Sequence, residues 1–196
     1  MNGRQSERKR ETKETRVTVR LDLDGTGEHK VSTGIPFFDH MLAQLARHGR
    51  FDLDVTAEGD LEIDGHHTVE DVGITLGQAF NEALGERRGI RRFSHAYVPL
   101  DEALSRVVVD FSGRGYLVYR ARFESAKIGD LQTELIEEFF KAFVQEGRLN
   151  FHVEVMYGRN QHHIAETMFK AAARALHLAT RVVWDDGEIP STKGAL

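Results

Sequence analysis

The residues His66-His67-Thr68-Val69-Glu70 recur as His162-His163-Ile164-Ala165-Glu166 in the second half of the chain. Both stretches have the pattern H-H-x-x-E, and each stands where an apolar pattern with helical spacing begins. Residues 107–115 similarly repeat residues 21–27, with matching aspartates and glycines. The matching order of these stretches indicates a duplication of one unit of roughly 75–90 residues.

Hydrophobic periodicity gives each half the same order of strands and helices. Val17, Val19 and Leu21 alternate with polar residues, which is the pattern of a strand with one buried face. Proline at position 36 and glycine at position 49 delimit the first helix. Further strands are predicted near residues 30–33, 51–57, 61–63, 116–123 and 151–156, and helices near residues 36–49, 68–84, 133–146 and 162–178.

The expected fold class is α+β, with two similar halves that each contain a mostly antiparallel sheet covered by helices on one face. The halves are expected at residues 15–90 and 91–180. Residues 1–14 are polar and basic, so we expect them to form a mobile arm, and residues 181–196 form a C-terminal tail. The alternative is a chance alternation of strands and helices, against which the two matching motifs argue.

Composition limits the classes of protein to which the chain can belong. Its 196 residues include no cysteine, which excludes disulfides, thiolate metal sites and a cysteine nucleophile, and which is compatible with a reducing, cytoplasmic location. The net charge of −5 argues against a nucleic-acid partner. No apolar run approaches the roughly 20 residues that span a bilayer, so no membrane partner is expected. The basic N-terminal residues lack the apolar stretch of a secretory signal.

The two H-H-x-x-E motifs contain candidate metal ligands. Residues three and four apart share a helix face, so either histidine of a pair can approach the same ion as the glutamate. Adjacent histidines point about 100° apart, which favours two metal sites that each use both motifs. One such motif alone is more often a surface histidine pair, but two copies at equivalent points of a repeat favour a metal centre. Imidazole and carboxylate ligands without thiolate suit Mn²⁺, Fe²⁺, Zn²⁺ or Co²⁺. With one residue from the first helix of each half, the candidate ligands are His40, His66, His67, Glu70, Glu138, His162, His163 and Glu166.

Basic and hydroxyl residues beside glycines form a second candidate site. Arg92, Arg114, Ser191 and Lys193 are of the types that hold a phosphate, although each alone is a weak signal. Glu14 lies just before the first strand, where its carboxylate can serve in proton transfer or remain a solvated charge.

Several motifs in order resemble the imidazoleglycerol-phosphate dehydratase family over nearly the whole chain. The stretches that carry the resemblance are Thr12-Lys13-Glu14-Thr15, Leu21-Asp22-Leu23-Asp24-Gly25-Thr26-Gly27, Phe38-Asp39-His40-Met41-Leu42, His66-His67-Thr68-Val69-Glu70-Asp71, Arg87-Arg88-Gly89-Ile90, Asp101-Glu102-Ala103, His162-His163-Ile164-Ala165-Glu166 and Pro190-Ser191-Thr192-Lys193-Gly194. The chain is similar to the monofunctional form of this family, which has no phosphatase domain.

The resemblance implies a duplicated fold like the second domain of a small-subunit ribosomal protein. It implies a lyase of histidine biosynthesis that removes water from imidazole glycerol phosphate and gives imidazole acetol phosphate. It further implies a homo-oligomeric shell of 24 subunits, with two Mn²⁺ per active site and with active sites between neighbouring subunits. An imidazole ring held between two cations can lose its N–H proton and then expel the neighbouring hydroxyl, while the cations act as Lewis acids and as a template.

The resemblance also implies roles for individual residues. His40, Glu70 and Glu166 would be metal ligands at the catalytic centre, and Glu14 would contact the substrate as an acid or base. The same resemblance implies metal ligands at His66, His67, His162 and His163, phosphate contacts from Arg92, Arg114, Ser191 and Lys193, and site-lining positions for Gln44 and His48.

Position 138 departs from the pattern of the family. Glu138 stands where members of the family often have histidine. A carboxylate can replace imidazole as a Mn²⁺ ligand, so Glu138 remains a candidate, and His152 is the alternative.

Two other functions remain open at this point. A two-metal phosphoesterase would share the metals and the phosphate contacts, but it would release inorganic phosphate. A metal-binding or RNA-binding module is the alternative without catalysis, and both the net charge and the lack of interleaved basic and aromatic residues weigh against RNA.

Overall fold

The computed structural model describes residues 3–184 and 187–196, and it contains two sheets, a short hairpin and four helices. None of the helices in these ranges has both the length and the apolar character needed to cross a membrane. The elements are β1 (Gln5–Glu11), β2 (Thr15–Asp22), β3 (His29–Ser32), α1 (Pro36–Gly49), β4 (Asp52–Gly59), α2 (His66–Leu84), β5 (Phe93–Leu100), β6 (Ala103–Asp110), β7 (Tyr116–Arg120), β8 (Lys127–Ile128), β9 (Leu131–Gln132), α3 (Leu135–Gly147), β10 (Asn150–Tyr157) and α4 (Gln161–Thr180).

The two four-stranded sheets have the same topology, which confirms the duplication. Their strand orders are β1-β2-β4-β3 and β5-β6-β10-β7. In each sheet the last pair is parallel and the other pairs are antiparallel. The second half differs by the added hairpin of β8 and β9, which lies between β7 and α3.

The four helices lie between the two sheets. α2 packs on β1 and β2, and α4 packs on β5 and β6, so the second helix of each half covers its own sheet. α2 also lies against α3, and α1 lies against α4, so each half contributes one helix to each pair. The apolar side chains of both halves consequently form one continuous core. This crossed packing brings residues of α1 close to residues of α4.

Strand β1 was not expected, because residues 1–14 were predicted to form a mobile arm. Its inward side chains are polar rather than apolar, so it carries no hydrophobic alternation. The Ser6 hydroxyl donates to the Ala79 carbonyl at 2.9 Å, and Arg10 pairs with Asp71 at 2.7 Å. The prediction of a strand near residues 61–63 is wrong, since these residues form a turn after β4.

Candidate metal centre and anion cavity

His40, His162 and Glu166 form a compact group at the crossing of α1 and α4. The Nε2 atoms of His40 and His162 each lie 3.1 Å from Oε2 of Glu166. One ligating atom from each of the three residues lies within 4.8 Å of the others. His162 and Glu166 are one helical turn apart on α4, and His40 faces them from α1. The two half-exposed imidazoles and the shared carboxylate are fit to hold a divalent cation.

The Glu166 carboxylate is held in its charged form. Burial would raise its pKa, but hydrogen bonds from Lys170, His40 and His162 outweigh burial and hold the pKa at about 2. Lys170 bonds the second carboxylate oxygen, Oε1, so Oε2 is the oxygen that faces the two histidines. Lys170 was missed from the sequence, although its position four residues after Glu166 on a helix was a usable signal.

Gln44 and His48 continue along α1 from His40. The Gln44 Oε1 and His48 Nε2 atoms lie 3.0 Å apart. Burial, together with the positive charge of Lys170, lowers the pKa of His48. His48 therefore stays neutral at neutral pH, so it is suited to hydrogen bonding within the site.

His163 points away from this group and is held by Glu102. The Nδ1 atom of His163 lies 2.8 Å from Oε2 of Glu102. The other Glu102 oxygen accepts the backbone N–H groups of Asn160 at 2.7 Å and of Arg159 at 3.0 Å. These backbone bonds and the His163 ring hold the pKa of Glu102 at about 2. The Asn160 side chain also caps α4 by accepting the N–H groups of His162 and His163, which fixes both residues at the helix start.

His67 is held in a similar way at the start of α2. Its Nδ1 atom lies 3.0 Å from Oδ2 and 3.2 Å from Oδ1 of Asp60. The hydrogen bond to Asp60 raises the pKa of His67, with a further contribution from Glu14. The Glu14 carboxylate lies 3.9 Å from the same Nδ1 atom, and its side chain is 55% exposed. Glu14 is therefore next to a motif histidine and accessible to a substrate.

The other candidate ligands do not converge within one chain. Among residues 3–184 and 187–196, no second group of three histidine or carboxylate side chains has ligating atoms that all lie within 4.8 Å of one another. His66 and Glu70 are half-buried at the start of α2. Glu138 bonds Lys141 at 3.2 Å, and His152 lies exposed on β10. The metal roles of these residues stay predictions.

The four predicted phosphate-binding residues line a single cavity of about 580 Å³. Arg92, Arg114, Ser191 and Lys193 come from three separate parts of the chain, and the fold brings them together. Trp184, the one tryptophan of the chain, forms part of the wall. A concave site with convergent positive charge and a hydroxyl is suited to an anion such as phosphate.

This cavity and the metal group lie at opposite ends of α4. The backbone N–H of Arg92 donates to the carbonyl of Ala179 at 2.9 Å, which places the cavity at the C-terminal end of that helix. Glu166 lies near the N-terminal end. The helix rises about 20 Å between Glu166 and Ala179, at about 1.5 Å per residue. A small ligand cannot contact both sites of one chain at once.

Comparisons with known proteins agree with these features. Residues 33–176 match the sequence model of the family described as imidazoleglycerol-phosphate dehydratase. The imidazoleglycerol-phosphate dehydratase of Gluconacetobacter diazotrophicus is 62% identical over 188 residues, which are 95% of each chain. That of Aromatoleum aromaticum is 60% identical and covers 98% of this chain and 100% of its own.

Solved structures agree in fold as well as in sequence. The crystal structure of the Staphylococcus aureus imidazoleglycerol-phosphate dehydratase has a TM-score of 0.82 and 36% identity, covering 91% of this chain and 100% of that one. The Pyrococcus furiosus structure, solved in complex with (S)-C348, has a TM-score of 0.83 and 36% identity. The match covers 96% of this chain and 99% of that one. From its motifs, its duplicated fold and these relatives, the chain belongs to the imidazoleglycerol-phosphate dehydratase family, the hydro-lyases of histidine biosynthesis.

Proposed function

We propose that the active site forms between neighbouring copies of the chain and uses two Mn²⁺ ions to dehydrate imidazole glycerol phosphate to imidazole acetol phosphate. The observation that carries this proposal is the separation of about 20 Å, along α4, between the His40–His162–Glu166 group and the cavity lined by Arg114 and Lys193. The substrate's imidazole ring and phosphate group are joined by only three carbon atoms and one ester oxygen. The metal group of one copy therefore works with the anion cavity of another.

The ligand set supports Mn²⁺ at the metal centre. His40, His162 and Glu166 would hold one ion, and the half-exposed imidazoles leave room for ligands from a second copy. His67 and His163 each have Nδ1 bound to a carboxylate, so their Nε2 atoms are available as such ligands. The remaining proposed ligands are His66, Glu70 and Glu138, with His152 as the alternative to Glu138.

Bound in this set, the cations would supply Lewis acidity that favours the imidazolate form of the substrate ring. Residues of the chain then carry out proton transfer and phosphate binding. Glu14 moves the proton at the reacting carbon, since it is exposed and adjacent to His67. Arg92, Arg114 and Lys193 hold the phosphate, and this remote binding orients the reacting end.

The self-assembly that completes these sites is proposed to be a shell of 24 subunits. The outward face of the second sheet supports self-association, because it exposes Phe93, Tyr97, Val108 and Tyr116. A cytoplasmic location remains a prediction from the absence of cysteine.

Metal dependence and reaction type are tested together. The purified enzyme is stripped with a chelator, reloaded with Mn²⁺, Fe²⁺, Zn²⁺ or Co²⁺, and assayed both for the ketone product and for inorganic phosphate. We expect ketone formation to disappear on stripping and to return most fully with Mn²⁺. Undiminished activity of the stripped enzyme would contradict the metal assignment, and phosphate release in place of the ketone would favour a phosphoesterase.

Sharing of the site between copies is tested by mixing two inactive variants. Glu166→Gln removes a ligand of the metal group, and Lys193→Ala removes a contact of the anion cavity. When the variants are co-assembled in equal amounts, up to about one quarter of the sites combine an intact metal group with an intact cavity. We expect activity to return toward that level. Co-assembled particles with no more activity than the separate variants would place the whole site in one chain.

A further inference from the structure

The duplication places two equivalent glutamates beside His67 and His163, the second histidine of each motif, but only one of the glutamates binds its histidine. Glu14 directly precedes β2 and Glu102 directly precedes β6, which are the matching strands of the two halves. Glu102 accepts from His163 Nδ1 at 2.8 Å. Glu14 lies 3.9 Å from His67 Nδ1, beyond hydrogen-bond distance. The two glutamates have therefore diverged in role.

The divergence follows from the residue after a matching glycine in each half. Gly59 and Gly158 match, because an added Cβ would meet the third motif residue, Thr68 or Ile164, at either position. Asp60 follows β4 and takes over the bond to His67 Nδ1 at 3.0 Å. Because β10 has a register shift between Val155 and Tyr157, the residue equivalent to Asp60 is Arg159, which follows Gly158 and whose backbone N–H donates to Glu102 at 3.0 Å. Arg159 has no carboxylate, and in the second half Glu102 contacts the histidine instead, at 2.8 Å.

We propose that Asp60 and Glu102 are positioning residues that aim the Nε2 atoms of His67 and His163 at the metal ions, and that Asp60 thereby frees Glu14 for proton transfer. A carboxylate at Nδ1 fixes both the ring orientation and the tautomer, with the proton on Nδ1 and the lone pair on Nε2. Asp60 and Glu102 touch neither substrate nor metal in this role. The part concerning Glu14 rests on the proposed function.

Substituting glutamine for Glu102 is an unusually sharp perturbation. One Glu102 oxygen is already fixed by the backbone N–H groups of Arg159 and Asn160. In Glu102→Gln the single amide oxygen keeps those bonds, so the NH₂ group faces His163 Nδ1. His163 must then accept at Nδ1 and carry its proton on Nε2, where it blocks coordination. Asp60→Asn is milder, because both Asp60 oxygens face His67 and the amide oxygen can still accept from Nδ1.

The test is the affinity of the metal-free, full-length enzyme for Mn²⁺, measured from the electron paramagnetic resonance signal of free Mn²⁺. Glu102→Gln and Asp60→Ala are expected to weaken binding by about 10- to 100-fold, and Asp60→Asn by less. Glu14→Gln is expected to bind Mn²⁺ with the affinity of the wild type. Asp52→Asn is the matched control, since Asp52 accepts three backbone N–H groups but contacts no motif histidine. The unfolding temperature of each metal-free variant shows whether the fold is retained.

The outcomes separate this inference from the proposed function. Wild-type affinity in folded Glu102→Gln and Asp60→Ala would overturn the positioning roles while leaving the metal centre intact. A loss of Mn²⁺ affinity in Glu14→Gln equal to that in Asp60→Ala would show that Glu14 orients His67. It would overturn the claim that Asp60 frees Glu14 for proton transfer. Failure of the wild type itself to bind Mn²⁺ would instead contradict the proposed function.

Discussion

Gly77 lies where α2 crosses α3, and replacing it with alanine tests the packing that joins the two halves. A Cβ atom at this position would lie 2.5 Å from the Phe143 carbonyl oxygen and 2.9 Å from both Glu146 Cβ and the Gly147 backbone nitrogen. Two of these atoms belong to the backbone of α3, so the contact is relieved only if one helix moves. The movement would also displace the start of α2, which carries the first H-H-x-x-E motif.

The expected size of the effect follows from two opposing contributions. Overpacking of this kind costs about 1–3 kcal/mol, and the better helix propensity of alanine returns about 0.5–1 kcal/mol. At their midpoints of about 2 and about 0.75 kcal/mol, the two contributions leave a net loss of about 1 kcal/mol, which corresponds to a fall in Tm of roughly 2–4 °C for a chain of this size. Calorimetry of the metal-free protein at fixed concentration measures this change in Tm. Gly3→Ala is the control, because its Cβ would meet only the Gln5 side chain at 3.4 Å. A Tm for Gly77→Ala equal to or above that of the wild type would refute the close crossing.

Three further substitutions test the site and its charges. Glu14→Gln should lower kcat by about 100- to 10,000-fold because proton transfer is lost, and an unchanged kcat in steady-state assays would remove Glu14 from the mechanism. Arg114→Ala should weaken inorganic phosphate binding by about 10- to 100-fold, as followed by Trp184 fluorescence, and equal affinity would place the phosphate elsewhere. Burial and nearby arginines lower the pKa of His177, so the unfolded chain takes up the proton first and stability falls as the pH drops below about 6.5. His177→Phe should reduce the slope of Tm against pH between about 7 and 5, and an identical slope would contradict the assignment.

Local sequence rules were sufficient for the elements with apolar faces. The alternation from Val17 to Leu21 predicted β2, and Pro36 with Gly49 bounded α1 as the structure has it. β1 escaped prediction because its inward residues reach α2 through hydrogen bonds and ion pairs. Its counterpart β5 escaped for a different reason, since apolar residues lie on both faces, with Ala96 and Val98 inward and Phe93 and Tyr97 exposed. Neither a strand with a polar inward face nor a strand with apolar residues on both faces shows the alternation of apolar and polar residues that predicts a strand.

The candidate site also contains some residues that the sequence reveals and others that it does not. Histidines and glutamates with helical spacing can be recognised in one stretch of sequence, and the structure brings His162, Glu166 and the distant His40 together. Asp60 lies outside the quoted motifs, and Glu102, although it belongs to the Asp101-Glu102-Ala103 stretch, does not match Asp60 in the repeat. Neither helical spacing nor the repeat therefore pairs these two carboxylates with the motif histidines. Their roles depend on tertiary contacts that only the folded chain provides.

Anomalous diffraction at the manganese absorption edge tests the central claim most directly. Crystals of the assembled enzyme grown with Mn²⁺ should show two peaks per active site, with the His40–His162–Glu166 group coordinated to one of them and motif residues of a neighbouring copy completing the ligands. Peaks remote from both H-H-x-x-E motifs, or motif histidines that face solvent in the assembled particle, would contradict the account.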